Sequence, residues 1–150
     1  MQGTPGLLTF ADIGSGPVRQ GFTSSNGRVF FVSGFDLYEV MSDGTYENRG
    51  TLLTDRTNVT VDEDLNTLAL CDGEDLYSFE YSTNTFTRIN GGGLPSSVGQ
   101  VSNIDGYFVV NENDSGRFYI SSINDITSWN ALDFATAESM PTSITAPAIL

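Results

Sequence analysis

The feature that most constrains this chain is an internal repeat of about 40 residues. Gly34-Phe35-Asp36-Leu37-Tyr38 returns as Gly73-Glu74-Asp75-Leu76-Tyr77, with Gly, Asp, Leu and Tyr recurring at an offset of 39. The apolar run Val29-Phe30-Phe31-Val32 returns at the same offset as Leu68-Ala69-Leu70-Cys71, and a further offset of 40 reaches Phe108-Val109-Val110-Asn111. In this third copy Tyr119 lies 42 residues after Tyr77, so a slightly longer turn has been inserted. A unit repeating at this period is one supersecondary module that buries its apolar surface by stacking on its neighbours.

Within each module, short alternating runs of Val, Phe and Tyr are separated by turn residues, and no helical period emerges. Strands are predicted over 18–22, 28–33, 37–41 and 46–52 in the first module and over 59–61, 67–71, 75–81 and 85–89 in the second. The third gives 100–103, 107–110, 117–121 and a last segment near 129–134. Asn26-Gly27, Asp43-Gly44 and Asp72-Gly73 suit tight hairpins, so sequential strands form antiparallel meanders. The expected fold is therefore all-β: four-stranded meanders forming about three blades of a β-propeller, with approximate repeats 18–57, 58–97 and 98–138 in one partial domain, 1–150. Propellers close with about 4–8 blades, so three imply part of a larger propeller. The apolar stretch ending in Ala146-Pro147-Ala148-Ile149-Leu150 reads as the start of a further blade over 139–150.

Charge narrows the function. The 150 residues hold 19 Asp+Glu against 6 Lys+Arg, for a net charge of −13, yet 39% hydrophobic content is too high for a disordered acidic tail. The six cations are Arg19, Arg28, Arg49, Arg56, Arg88 and Arg117, scattered and without a single Lys. No basic cluster exists to neutralise phosphates, which argues against tight nucleic-acid binding and against an anionic membrane surface. The longest apolar runs, 29–32 and 107–110, are too short to cross a bilayer, and no targeting signal is visible. With neither His nor Lys, the usual general base, Schiff-base amine and Ser-His triad are missing, and no enzyme activity is expected.

Individual motifs carry little chemistry. Cys71, the only cysteine, sits in a strand-like run and reads as a core thiol. Asp62, Glu63 and Asp64 form the densest acidic cluster, with Asp62 and Asp64 on one face of an extended chain, but a solvated turn explains them better than paired catalytic carboxylates. Asn111, Asn113, Ser115 and Gly116 mimic the first half of a calcium loop, yet its twelfth position is Ser122 rather than Glu, so a hairpin turn is favoured. Gly91-Gly92-Gly93 lacks the Lys and helix of a phosphate loop and reads as an interblade linker. Asn58-Val59-Thr60 and Asn113-Asp114-Ser115 fit the glycosylation pattern but carry little weight without a secretion signal. No catalytic, cofactor-binding or metal-ligating residue is assigned, and no cofactor is expected.

Two features motivate an alternative function, a glycan-binding or carbohydrate-active propeller. Trp129, Tyr38, Tyr77 and Tyr119 could stack on sugars, although the three tyrosines share one repeat position and so point first to packing between blades. The segment Ser122 to Trp129 is similar to the Asp-box of sialidase-type propellers, Ser-x-Asp-x-Gly-x-Thr-Trp, with Asn124 in place of Asp, Ile126 of Gly and Ser128 of Thr. Such a box stabilises a turn and supplies no active site.

Longer stretches carry a family resemblance. "TPGLLTFADIGSGPVRQGF", "VFFVSGFDLYEV", "SSINDITSWNALDFATAES" and "SITAPAIL" together resemble the packaged-DNA stabilisation proteins of short-tailed bacteriophages, also called tail accessory or tail hub factors. The resemblance implies a non-enzymatic virion protein of the head-to-tail connector that extends and plugs the DNA channel and retains packaged DNA. It implies a homo-oligomeric ring, typically a hexamer, with the portal adaptor and the tail needle or tailspike as partners. Localisation would be the virion tail, with the host cytoplasm during assembly. Those proteins are longer than this chain, in keeping with an incomplete propeller.

Overall fold

The structure is a computed structural model and describes residues 6, 8–55 and 58–136. Twelve strands form three four-stranded antiparallel sheets, each in simple sequential order. The first blade comprises β1 (Val18–Thr23), β2 (Val29–Ser33), β3 (Asp36–Val40) and β4 (Tyr46–Thr51). The second comprises β5 (Thr60–Glu63), β6 (Thr67–Cys71), β7 (Leu76–Glu80) and β8 (Thr85–Ile89). The third comprises β9 (Val98–Ile104), β10 (Tyr107–Glu112), β11 (Arg117–Ser122) and β12 (Asp125–Thr136).

The twelve predicted strands are all present, with adjusted ends. The turn expected over 62–66 is shorter, because Asp62 and Glu63 pair with Ala69 and Leu68 as part of β5. The final strand begins at Asp125 rather than near Trp129. Turn chemistry explains the hairpins: Gly27 and Gly44 take φ of 84°, which the tight turns require, and Asn84 and Asn124 take 54° and 53° where no glycine is supplied. The start of a further blade read over 139–150 lies outside the described residues, as do Arg56 and Thr57.

Pleating gives each sheet two apolar faces, and the sheets stack through them. In each blade we call the face turned to the preceding blade leading and the other trailing. Phe30, Val32 and Leu37 on the trailing face of the first blade pack with Leu68, Leu70, Tyr77 and Phe79 on the leading face of the second. Ala69, Cys71 and Leu76 on the trailing face of the second pack with Phe108, Val110 and Tyr119 on the leading face of the third. The strands β1, β5 and β9 lie against one another across the blades, as innermost propeller strands do. Because the residues of one interface recur in the next, the 40-residue period in sequence is the blade spacing in space.

Candidate interaction surfaces

Polar side chains fasten the blades where edge strands would otherwise leave backbone groups unpaired. The Val101 amide on β9 donates to Thr60 Oγ1 on β5 at 3.1 Å, and the Asn103 amide donates to Asp62 Oδ2 at 2.6 Å. Glu63 reaches both ways: Oε1 accepts from the Ser25 amide at 2.6 Å and Oε2 from the Tyr81 hydroxyl at 2.5 Å. Asp64 Oδ1 accepts from the amides of Asn66 and Thr67 within its own turn. The acidic cluster is thus only in part the solvated turn expected, since two of its carboxylates join neighbouring elements and neither is left to act as a catalytic pair.

A second fastener went unmarked in the sequence. Glu39, 4% exposed, is gripped bidentately by Arg28, with Nε at 2.7 Å from Oε1 and Nη2 at 2.6 Å from Oε2. Arg49 adds an ion pair to Oε2 at 2.7 Å. The Arg28 guanidinium lies 5.4, 5.1 and 5.6 Å from the ring centroids of Phe30, Phe79 and Tyr81 and donates to the Tyr81 carbonyl and Asn84 Oδ1 of the second blade. Hydrogen bonds from Arg28, and secondarily from Arg49, hold the Glu39 carboxyl below the usual carboxylate range against an opposing burial effect. No spacing rule marks this cluster; it follows once the register sets Phe30 opposite Glu39.

The remaining candidates resolve into packing. The Tyr77 hydroxyl donates to Asp72 Oδ2 at 2.9 Å and accepts from the Leu53 amide at 2.9 Å, and burial raises its pKa. Its ring stacks on Phe86, which fills the space a Cβ at Gly50 would need. Tyr119 is buried and Tyr38 half-buried. Successive tyrosines therefore occupy successive leading faces and do not line one groove. Trp129 is 7% exposed within the core of the second and third blades, donating Nε1 to the Ile126 carbonyl at 2.5 Å. The Asp-box-like segment is the β11–β12 hairpin, where Asp125 Oδ1 accepts from the Thr127 amide and hydroxyl. Asn113 spends its amide on the Gly73 carbonyl and Ser97 Oγ, both at 2.7 Å, in the turn between β10 and β11. Gly91, Gly92 and Gly93 all take positive φ in the connection between the second and third blades. Among the described residues, no group of three or more His, Cys, Asp or Glu is placed to hold a metal ion.

Cys71 donates Sγ–H toward the Val98 carbonyl at 3.2 Å, and burial pushes its thiol up to about 12. At pH 8 it is then almost wholly the unreactive thiol. A disulfide reagent read by absorbance is expected to leave native protein unmodified at that pH and to titrate one thiol per chain after addition of denaturant. Rapid labelling of the native state at the rate of a free peptide thiol contradicts this.

Among the described residues, two sheet faces have no further sheet against them, one at each end of the arc. The leading face of the first blade, with Val29, Phe31 and Val40, faces an apolar groove of about 610 Å3. Residues 8–17, ahead of β1, cross this face as a strap: Ser33 Oγ donates to the Gly16 carbonyl at 2.9 Å, and the Phe10 carbonyl lies where a Cβ at Gly44 would stand. The strap adds no strand, and its Leu8 and Phe10 are themselves 94% and 65% exposed. At the other end of the arc, Phe118 and Ile120 on the trailing face of the third blade are half-buried and Tyr107 is 40% exposed.

Three successive four-stranded meanders stacked face to face, first strands innermost, define blades of a β-propeller. Comparison with solved structures agrees: the chain superposes on YCF48 bound to D1 peptide with a TM-score of 0.59 at 12% identity, covering 81% of this chain and 41% of that one. The chain thus spans less than half of that propeller. The extracellular domain of a hybrid two-component system from B. thetaiotaomicron overlaps more loosely, with a TM-score of 0.39 at 17% identity over 69% of this chain and 20% of that one. No curated protein sequence matches the chain. Residues 1–148 match the phage stabilisation family, described as Bacteriophage P22 Gp10, beta-propeller, and the chain belongs to that family. Its class is accordingly that of the β-propeller proteins of this phage structural family.

Proposed function

We propose that the chain forms part of a head-to-tail connector or tail hub of a short-tailed phage, where it extends and closes the DNA channel and so retains packaged DNA. Family membership over residues 1–148 carries this reading. Partners on this reading are the portal adaptor, the tail needle or tailspike, and further copies in a ring; the site of action is the virion tail.

Electrostatics supports a plug rather than a grip. Every described arginine is engaged within the chain: Arg19 with the Gly34 and Thr54 carbonyls, Arg28 and Arg49 with Glu39, Arg88 with Asp75, and Arg117 over the Phe134 ring. With a net charge of −13 for the whole chain, the surface is acidic on balance and repels phosphates. DNA then slides past during packaging and is held afterwards by obstruction. On this reading the role is mechanical.

Phage particles assembled without the protein are expected to package DNA and then lose it, measured as the ratio of full to empty heads by sedimentation. Particles that stay full without it overturn the proposal.

A further inference from the structure

Two Asn-Gly dipeptides occur in the chain, Asn26-Gly27 and Asn90-Gly91, and both are exposed. An asparagine before glycine is open to attack on its own side chain, because glycine lacks the Cβ that would shield the following backbone nitrogen. The structure separates two dipeptides that the sequence makes alike. At Asn26-Gly27 both reacting groups are held. Asn26 Oδ1 accepts from the Ser24 hydroxyl at 2.5 Å and from the Arg28 amide at 3.2 Å, and the Gly27 amide donates to the Ser24 carbonyl at 2.9 Å. Ser24 is itself 4% exposed, so this turn is anchored in the fold.

Asn90-Gly91 stands in the connection from β8 to β9, between the second and third blades. Among the described residues, neither the Asn90 side chain nor the Gly91 amide makes a hydrogen bond. The first bond of the connection falls beyond the reacting nitrogen, where the Gly91 carbonyl accepts from the Leu94 amide at 3.2 Å. Space surrounds the position: a Cβ at Gly91 would meet nothing within 4 Å, and one at Gly92 only the Thr127 carbonyl at 3.9 Å. Asn90 and Gly91 also line a cleft of about 260 Å3, which admits water. The Asp-Gly pairs are restrained as Asn26 is: the Gly44 amide donates to the Met41 carbonyl, Asp72 is fully buried, and the Gly106 amide donates to Asn103 Oδ1.

We propose that Asn90-Gly91 is a self-modifying site in the joint between the second and third blades, where the Gly91 nitrogen closes on Asn90 Cγ and water then yields aspartate and isoaspartate. The Gly91 nitrogen gives its proton to solvent base and bonds to Cγ. The Cγ–Nδ2 bond breaks, and ammonia leaves with a proton from solvent. Water opens the succinimide ring at Cγ to give aspartate, or at the Asn90 main-chain carbonyl to give isoaspartate. Overall, water is consumed, ammonia is released and a neutral amide becomes a carboxylate; nothing is oxidised or reduced. The product matters here because the connection is pinned on both sides. Ile89 is 7% exposed in the core shared by the second and third blades, and Leu94 packs against that core. Gly93 lies so close to β12 that a Cβ would stand 2.4 Å from the Ala131 nitrogen. Isoaspartate lengthens the main chain by a methylene between these anchors and adds a negative charge to a chain already at −13, so the third blade is held less tightly. This inference rests on the hydrogen bonding of the joint and is independent of the phage-tail role.

The test uses the full chain, incubated folded at mildly alkaline pH and physiological temperature, beside a parallel sample in urea. Cleavage after arginine places Asn26 in peptide 20–28 and Asn90 in peptide 89–117. Fragmentation mass spectrometry then follows the exchange of NH2 for OH at each asparagine, and an isoaspartyl methyltransferase marks isoaspartate. In the folded protein Asn90 is expected to convert at least about tenfold faster than Asn26, the protection that one or two retained hydrogen bonds confer. Both rates should rise with pH, and in urea the gap should close. Asn90→Gln, whose longer side chain forms the ring far more slowly, should remove the isoaspartate of peptide 89–117. The modified fraction, separated by its extra charge, should unfold at a lower urea concentration than the unmodified chain. Equal rates at the two dipeptides in the folded protein overturn the proposal, as does an Asn90 that stays intact when folded while converting in urea, or isoaspartate that persists in the Asn90→Gln peptide. An unchanged urea midpoint overturns the loosening of the joint.

Discussion

Replacing Phe79 with Ala is expected to cost about 3–5 kcal/mol of folding stability, the range for removing a fully buried aromatic side chain. Phe79 is 0% exposed on β7, its ring 5.4 Å from that of Phe30 and 6.1 Å from that of Tyr81, and the Arg28 guanidinium stands 5.1 Å from its centroid. Truncation removes the hydrophobic contribution of the ring and leaves a cavity lined by sheets that cannot close on it, since each is held in register by its own hairpins. A domain of this size has about 5–15 kcal/mol in total, so the variant should unfold at a markedly lower urea concentration. Leu65→Ala, at a residue 89% exposed in the β5–β6 turn, serves as the reference and should change stability by no more than about 0.5 kcal/mol. A loss below about 1 kcal/mol at Phe79 would mean that the first two blades are not packed as described.

The second large effect is at Glu39. Glu39→Gln keeps the shape and removes the charge, leaving Arg28 at the blade interface without its counterion, while Arg49 keeps its ion pair with Glu47 at 2.6 Å. Breaking a buried pair from one side costs about 3–5 kcal/mol, and we expect about 3, because the Arg28 side chain keeps 21% of its exposure. The pH dependence has a defined sign. The folded-state pKa of Glu39 is held below its ordinary value of 4.5, so its contribution is fully present above that value and is lost as pH falls through the folded one. Urea midpoints of the two proteins should differ at neutral pH, and the gap should narrow at a second pH well below 4.5, as pH falls toward and through the folded value. A constant gap between them at both pH values would show that Glu39 acts through shape and not through charge.

The strands were legible in the sequence because two local signals coincide at each of them. Alternating apolar residues demand a pleated surface, and Asn26-Gly27 or Asp43-Gly44 supply backbone dihedrals that turn the chain back. The repeat added the third dimension: Tyr38, Tyr77 and Tyr119 at one position of the unit meant packing between blades, and the latter two are buried. Asp62 and Glu63 show where this reading stops. Locally they look like a polar turn, and nothing within a few residues of them reveals that the amides of Asn103 and Ser25 lie opposite. The Arg28–Glu39–Arg49 cluster was invisible for the same reason, since its members are 10 and 11 residues apart with no shared period.

The candidate surface was less legible still. Val29, Phe31 and Val40 read as core in every respect, and their sequence equivalents in the second blade, Leu68, Leu70 and Phe79, are core. Only the placement of the blades distinguishes the two sets, because one leading face has a sheet before it and the other has a strap and a groove. By itself the sequence determined the strand order, the hairpins, the blade period and the acidic character of the surface, since each follows from neighbouring residues or from summed composition. Tertiary structure alone decided which carboxylates fasten blades and which apolar face stays open, because those depend on contacts between residues that the chain separates and only stacking brings together.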